Sequence, residues 1–397
     1  MGIIVQKFGG TSVATAEGRA HLTRKVAEAA KHSDVVVVVS AMGRAPAPYA
    51  TDTLLGLVDC DRSSAARELD ALAACGEIIS SVVVTAALRG LGLDAVSLTG
   101  AQAGIVTDDC HGQARIVHID TARLVNHIKA GQIPVVAGFQ GINSRGDMTT
   151  LGRGGSDTTA AALGAALGAD RVEIYTDVTG VMSADPNVVP EARWQDSMTY
   201  TELIEMANLG AKVVHLQAVE IAMHSRTPLV IRSTFSDEEG TIVTDMAGKP
   251  TAPFAALRPV TAVATTGGRA QLIVEGGNLN VFSAMATNGV SVDMINVFPD
   301  RVAFIIAMAD LPVARKVIDG LGHKVDVVEG CAKVSIVGEG MRGTPGIMAR
   351  LATALAEAGV AILQTSDSHY SISCLVKSEQ METAARALHA QFGLGGM

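Results

Sequence analysis

Five consecutive valines, Val35–Val39, run into Ser40 with no polar residue between them. β-Branched side chains suit an extended backbone, and a strand without polar alternation must be covered on both faces. Comparable runs recur at Asp94–Leu98, Ile133–Ala137, Arg171–Thr176 and Pro228–Arg232. Between them lie stretches with helical character, Ala16–Lys31, Ser64–Arg89, Ser156–Leu167 and Tyr200–Ala211. This alternation predicts an α/β fold over residues 1–235: a mostly parallel sheet covered by helices on both faces. In open sheets of this kind ligands bind beyond the carboxyl ends of the strands, so the glycine-rich turns after strands are the places to search.

The character changes after residue 235. Residues 236–258 are polar and rich in Gly, Asp, Thr and Pro, which reads as a linker, and Met246 within it is a conceivable start for a separately translated chain. Beyond it a repeat emerges. Asn288-Gly289-Val290-Ser291-Val292 resembles Ala358-Gly359-Val360-Ala361-Ile362 at an offset of 359 − 289 = 70 residues. A helix precedes each copy and a strand pair follows, giving two ferredoxin-like βαββαβ modules, residues 259–330 and 331–397. Two small modules behind a catalytic-sized domain suggest regulation, with plain dimerisation as the alternative.

Composition narrows the function. Forty acids against 31 bases give a net charge of −9, and aromatics are only 3%, which opposes nucleic-acid binding. Cys60, Cys75, Cys110, Cys331 and Cys374 are scattered with no C-x-x-C, as expected of reduced thiols in a cytoplasmic protein. The start enters a strand directly, with no signal-peptide layout, and no apolar run approaches the ~18 residues of a membrane span.

Four motifs offer chemistry. Lys7-Phe8-Gly9-Gly10-Thr11-Ser12 places a cation and two glycines between a strand and a helix, a cradle for phosphate that is not a Walker A loop. Gly152-Arg153-Gly154-Gly155-Ser156-Asp157 opens an alanine-rich helix; Arg153 offers a fork for carboxylate or phosphate, and Asp157 is placed to orient Lys7 or help position a metal, or simply to cap the helix. Thr176–Pro186 is a long turn with carboxylates and hydroxyls suited to ribose, base or phosphate. Gly210-Ala211-Lys212-Val213-Val214-His215 ends a helix and supplies a second lysine. Gly338-Glu339-Gly340-Met341-Arg342-Gly343 matches G-x-G-x-x-G, but it lies inside the repeat with too little chain after it for a dinucleotide fold; a turn shaping an effector pocket is the better reading. The histidines show no metal-ligand spacing, so no protein metal centre is expected.

Taken together, K-F-G-G-T-S at Lys7–Ser12, G-R-G-G-S-D at Gly152–Asp157 and T-D-V-x-G-V-x-x-A-D-P at Thr176–Pro186 resemble the aspartate kinases of the amino-acid kinase fold, in the monofunctional bacterial layout with two ACT modules. The resemblance covers essentially the whole chain. It implies ATP- and Mg2+-dependent phosphorylation of the side-chain carboxylate of L-aspartate, opening the route to lysine, diaminopimelate, threonine and methionine. It implies Lys7 and Lys212 as cations flanking the phosphoryl group, Arg153 on a substrate carboxylate, Glu77 on the substrate ammonium, and Ser40 and Thr51-Asp52 on the substrate side. Asp157 organises the site, and Gly9, Gly10, Thr176, Asp177, Ser183 and Asp185 join the two lysines around the nucleotide. Mg2+ is carried largely by ATP phosphates and water.

The same resemblance implies a homodimer through the ACT modules, with the second module, residues 331–397, inserted in the first in space. It also implies an amino-acid effector (lysine, threonine or diaminopimelate) near Asp293, Asn296, Gln364, Thr365 and Asp367. Two departures from the family pattern stand out. Leu216-Gln217 replaces a customary proline after His215, and Gly276-Gly277-Asn278-Leu279 in the first module lacks the proline of Gly343-Thr344-Pro345-Gly346 in the second. The rivals are a sister kinase acting on another acceptor, and a non-catalytic amino-acid sensor.

Overall fold

The computed structural model describes residues 1–59, 65–211, 214–245, 259–276, 279–341 and 343–395. The chain divides into two units: Met1–Val181 with Trp194–Ile204 and Lys212–Lys249, and Met182–Arg193 with Glu205–Ala211 and Pro250–Met397.

The first unit runs β1 (Ile3–Phe8), α1 (Gly10–Ala14), α2 (Ala16–Ala29), β2 (Asp34–Val39), α3 (Thr51–Leu55), α4 (Ala66–Gly90), β3 (Ala95–Leu98), β4 (Ile105–Thr107) and β5 (Ile116–Ile119). It continues through α5 (Ala122–Lys129), β6 (Ile133–Ala137), β7 (Gln140–Ile142), β8 (Met148–Thr150), α6 (Gly155–Leu167), β9 (Arg171–Thr176), β10 (Ser197–Thr199), α7 (Tyr200–Asn208), α8 (Leu216–Ser225), β11 (Leu229–Ser233) and β12 (Thr241–Thr244). The last turn of α7 belongs to the second unit.

The main sheet has the order β10-β12-β11-β9-β1-β2-β6-β3. The strands from β11 to β3 are parallel to one another, and β12 runs antiparallel to β11. The valines of β2 are buried on both faces. Val35, Val37 and Val39 pack with Phe8, Leu22, Val26, Val84 and Leu88 under α2 and α4. The opposite face of β2 meets α6. A smaller sheet, β5-β4-β7-β8, carries the loops that flank the site.

By length and composition α4 is long and apolar enough to cross a bilayer, contrary to the expectation from sequence, yet it packs on β3, β6 and β8. It also buries Asp70 and Glu77, whose carboxylates are engaged within the unit. The expected linker contains β12, an element of the main sheet, because Ile242 and Val243 pair with β10 on one side and β11 on the other. Met246 lies outside the described residues.

In the second unit one sheet has the order β14-β15-β13-β16-β18-β17. Its elements are β13 (Ala262–Glu275), α9 (Asn280–Thr287), β14 (Asp293–Val297), β15 (Arg301–Ala307), α10 (Leu311–Gly320), β16 (Val325–Val337), α11 (Ile347–Glu357), β17 (Gln364–Asp367), β18 (Ser371–Lys377) and α12 (Met381–Gln391). The 70-residue offset carries β15 onto β18, Arg301–Ala307 onto Ser371–Lys377.

The expected boundary at 330/331 falls inside the continuous strand β16. Its first half pairs with Arg269–Val274 beside β15, and its second half pairs with Ala262–Thr266 beside β18. The first module is therefore threaded between the edge strand of the second, Ala262–Thr266, and the rest of it. That nesting is the reverse of the expected one.

Candidate active site

A cavity of about 770 Å3 opens at the carboxyl ends of β1 and β9 in the first unit. Lys7 is the penultimate residue of β1, and its Nζ lies 2.6 Å from Asp157 Oδ1 at the first turn of α6. Both side chains are largely buried, so the pair fixes the ammonium at the cavity wall. Gly9 and Gly10 follow. A Cβ on Gly10 would sit 2.9 Å from the carbonyl oxygens of both Ala41 and Gly43, so only glycine permits this approach of the β1 and β2 turns.

On α4, Glu77 is 3% exposed and reaches the same cavity. Its Oε1 accepts a hydrogen bond of 3.0 Å from Ala41 N, while Oε2 is buried without a hydrogen-bond partner. Burial pushes its carboxyl up to about 8. A buried carboxylate with an unused oxygen calls for a cationic ligand group. Opposite, the loop into α6 presents the exposed Arg153, and the N-terminus of α6 faces the cavity, adding partial positive charge. Ser40, Thr51, Thr176 and Asp177 also line it, Thr176 Oγ1 donating to Asp177 Oδ1 at 3.1 Å.

The structure thus gathers Lys7, Gly9, Gly10, Ser40, Thr51, Glu77, Arg153, Asp157, Thr176 and Asp177. Lys212 lies outside the described residues. Ser183 and Asp185 do not join them. Ser183 is fully buried in the second unit, its Oγ 2.9 Å from His389 Nε2 and accepting from Arg193 N at 2.9 Å, which leaves no surface for a nucleotide. Asp185 closes a turn, accepting from Asn187 N at 2.9 Å. Asp52, expected beside Thr51 on the substrate side, also lines the cavity, and Arg44, Gln113 and Phe139 line it without having been singled out as site residues. Leu216 takes the first position of α8, where proline and leucine both fit, so its departure from the pattern leaves the helix start intact. Among the described residues no group of three or more His, Cys, Asp or Glu has metal-holding geometry.

The second unit has its own cavity of about 410 Å3, lined by Glu205, Arg269, Asp293, Lys333, Asp367 and neighbouring serines. Asp293 is paired with Lys333. Burial alone would raise the Asp293 carboxyl, but the Lys333 hydrogen bond and charge hold it below the usual range. Asn296 and Gln364 are committed to each other: Gln364 Nε2 donates to Asn296 Oδ1 at 2.6 Å, and its Oε1 accepts from Gln271 at 2.9 Å. Thr365 is paired in the sheet opposite Cys374 and does not line this cavity.

The amino acid kinase family model matches residues 2–233, more than half of the chain, so the protein is a kinase of the amino acid kinase fold. The ACT domain model matches residues 326–390. Aspartokinase 1 of Bacillus subtilis is 45% identical over 405 residues, covering 99% of this chain and 100% of that protein. The crystal structure of E. coli aspartokinase III with aspartate and ADP superposes with a TM-score of 0.76 at 25% identity, over 98% of this chain and 99% of that one. The same enzyme with lysine and aspartate gives 0.78 at 26%, with the same coverage. The chain belongs to the aspartokinase family and is an aspartate kinase.

Proposed function

We propose that the first-unit cavity transfers the γ-phosphoryl group of ATP to the side-chain carboxylate of L-aspartate. A carboxylate oxygen forms a bond to the γ-phosphorus, the bond to the β,γ-bridging oxygen breaks, and ADP and 4-phospho-L-aspartate result. Aspartate is already ionised, so no general base is needed; positioning and charge neutralisation carry the catalysis. Lys7, oriented by Asp157, faces the transferring oxygens, with Lys212 as the second cation. Arg153 takes the α-carboxylate and Glu77 the ammonium, with Ser40 and Thr51 on the substrate side. Gly9, Gly10, Thr176 and Asp177 hold the nucleotide. Mg2+ brought in with ATP would supply further charge neutralisation, and of the lining carboxylates Asp52 and Asp177, which are not given to the substrate ammonium or to Lys7, would help to hold it.

The observation that carries this reading is the convergence of Lys7, Glu77, Arg153 and Asp157, from separate elements, on one cavity. A hydroxylamine-trap assay with ATP, Mg2+ and a panel of acceptors tests it. Hydroxamate from aspartate is expected; product from glutamate or acetylglutamate alone moves the site to a sister activity, and no product from any acceptor leaves a sensor.

The reaction opens the route to lysine, diaminopimelate, threonine and methionine, and we place its feedback control in the second-unit cavity, in a homodimer formed through the ACT modules. Its acids, Glu205, Asp293, Asp310 and Asp367, outnumber its bases, Arg269 and Lys333, which favours an effector with an extra ammonium, lysine or diaminopimelate, over threonine. Replacing Lys333 by alanine is expected to raise the half-inhibiting concentration of that effector about tenfold by removing a partner for its carboxylate. Inhibition curves with the three amino acids measure this, and an unchanged curve removes Lys333 from the effector site.

A further inference from the structure

Asp70 lies on α4 seven residues before Glu77, on the same face of the helix, yet it does not line the cavity. It is 3% exposed and nonetheless densely bonded. Oδ2 is 2.8 Å from His111 Nδ1, and because a carboxylate accepts, that ring nitrogen carries the proton. Gly112 N donates to both carboxylate oxygens at 3.0 Å. Thr150 Oγ1, at the end of β8, donates to Oδ1 at 2.5 Å. Ala114 N adds a bond of 2.8 Å to Thr150 O, so the 108–115 loop and the end of β8 are held as one piece.

That piece borders the cavity twice. Gln113 lines it directly, and Gly152, two residues beyond Thr150, lies against the loop with φ +74. A Cβ there would meet Gly112 O at 3.2 Å. Arg153 follows immediately. One buried carboxylate on α4 therefore ties together the loop carrying Gln113 and the turn that aims Arg153, while the next turns of the same helix deliver Glu77.

We propose that Asp70 is a positioning residue for aspartate binding: through His111, Gly112 and Thr150 it sets the register of Gln113 and of the Gly152–Arg153 turn relative to Glu77. This rests on the reading that Arg153 and Glu77 grip the substrate. Asp70 touches neither substrate nor nucleotide, so its effect falls on affinity for the amino acid.

The test is steady-state kinetics of the full chain with Asp70→Asn, which keeps the shape but offers Gly112, Thr150 and His111 no charge, and with His111→Gln, a milder change at the rim. The aspartate KM is expected to rise about tenfold in Asp70→Asn and about threefold in His111→Gln, with kcat within about threefold of wild type and the ATP KM unchanged. An aspartate KM equal to wild type overturns the proposal, as does a loss shared equally by kcat and both KM values. If Asp70→Asn does not fold, His111→Gln decides by the same criteria. Arg153→Ala, run alongside, should raise the aspartate KM further than either. A normal Arg153→Ala response with silent Asp70 and His111 variants overturns the positioning role alone. A silent Arg153→Ala overturns the Arg153 assignment and the proposal with it.

Discussion

Replacing Lys7 by alanine is expected to lower kcat by about three orders of magnitude, with a much smaller change in the aspartate KM. The Nζ of Lys7 is held 2.6 Å from Asp157, at the wall of the cavity proposed for phosphoryl transfer. Charge there is worth far more in the transition state than in the ground state, and removing one preorganised donor of this kind typically costs about 10²–10³ in rate. A second effect accompanies the first. Truncating Lys7 leaves the carboxylate of Asp157 largely buried and unpaired, which destabilises the fold by about 2 kcal/mol. The two effects separate in the double variant Lys7→Ala/Asp157→Asn. Its melting temperature should return most of the way to wild type while kcat stays low. Recovery of activity together with stability would assign Lys7 a structural role only.

Glu77→Gln is expected to raise the aspartate KM by about 30-fold, by removing the partner proposed for the substrate ammonium. Its pH signature is more specific than its size. The Glu77 carboxyl is pushed by burial from 4.5 to about 8, so at neutral pH the free enzyme holds it mostly protonated. Binding an ammonium requires the ionised form. In wild type the aspartate KM should therefore fall as pH rises, by up to about tenfold per unit, and level off above pH 8. In Glu77→Gln the slope should vanish.

Stability runs the other way. Because the folded state holds this proton more tightly than the unfolded chain, Glu77 contributes stability that is present below pH 4.5 and lost as pH rises through about 8. The melting temperature of Glu77→Gln relative to wild type should then climb between pH 5 and pH 9, by roughly 3–8 °C. Thermal scans at the two ends of that window check it, and parallel curves would place Glu77 in water rather than in the protein.

The parts of this molecule that were legible in the sequence share one property: their signal is local. A strand without polar alternation has to be buried on both faces, and Val35–Val39 is. A cation followed by two glycines at a strand end has to form a turn at the sheet's carboxyl edge, and Lys7-Phe8-Gly9-Gly10 does. The last strand of the pair after each repeat copy recurs 70 residues apart, Arg301–Ala307 and Ser371–Lys377, because helix, turn and strand pair follow one another locally in each copy.

What escaped depends on distant pairing. Thr176–Pro186 reads as one continuous loop, yet the chain passes from the first unit to the second at Met182. Ser183 is claimed by His389, 206 residues away. The sharing of β13 and β16 between modules is a matter of register across a sheet, invisible in a repeat whose copies are read end to end. Asp70 did leave a trace, an acid on the apolar α4 in helical step with Glu77, and that spacing was the available signal.

Transfer to aspartate requires that an oxygen of its side chain attack phosphorus. Aspartate labelled with ¹⁸O in its side-chain carboxylate tests it directly. The chain would be run with ATP, Mg2+ and hydroxylamine, and the released phosphate examined by mass spectrometry. Hydroxylamine attacks the acyl carbon, so the bridging oxygen leaves with phosphorus. The account predicts one ¹⁸O in each phosphate released along with the hydroxamate. Phosphate without label would mean that water, not the aspartate carboxylate, accepts the phosphoryl group, and would contradict the account.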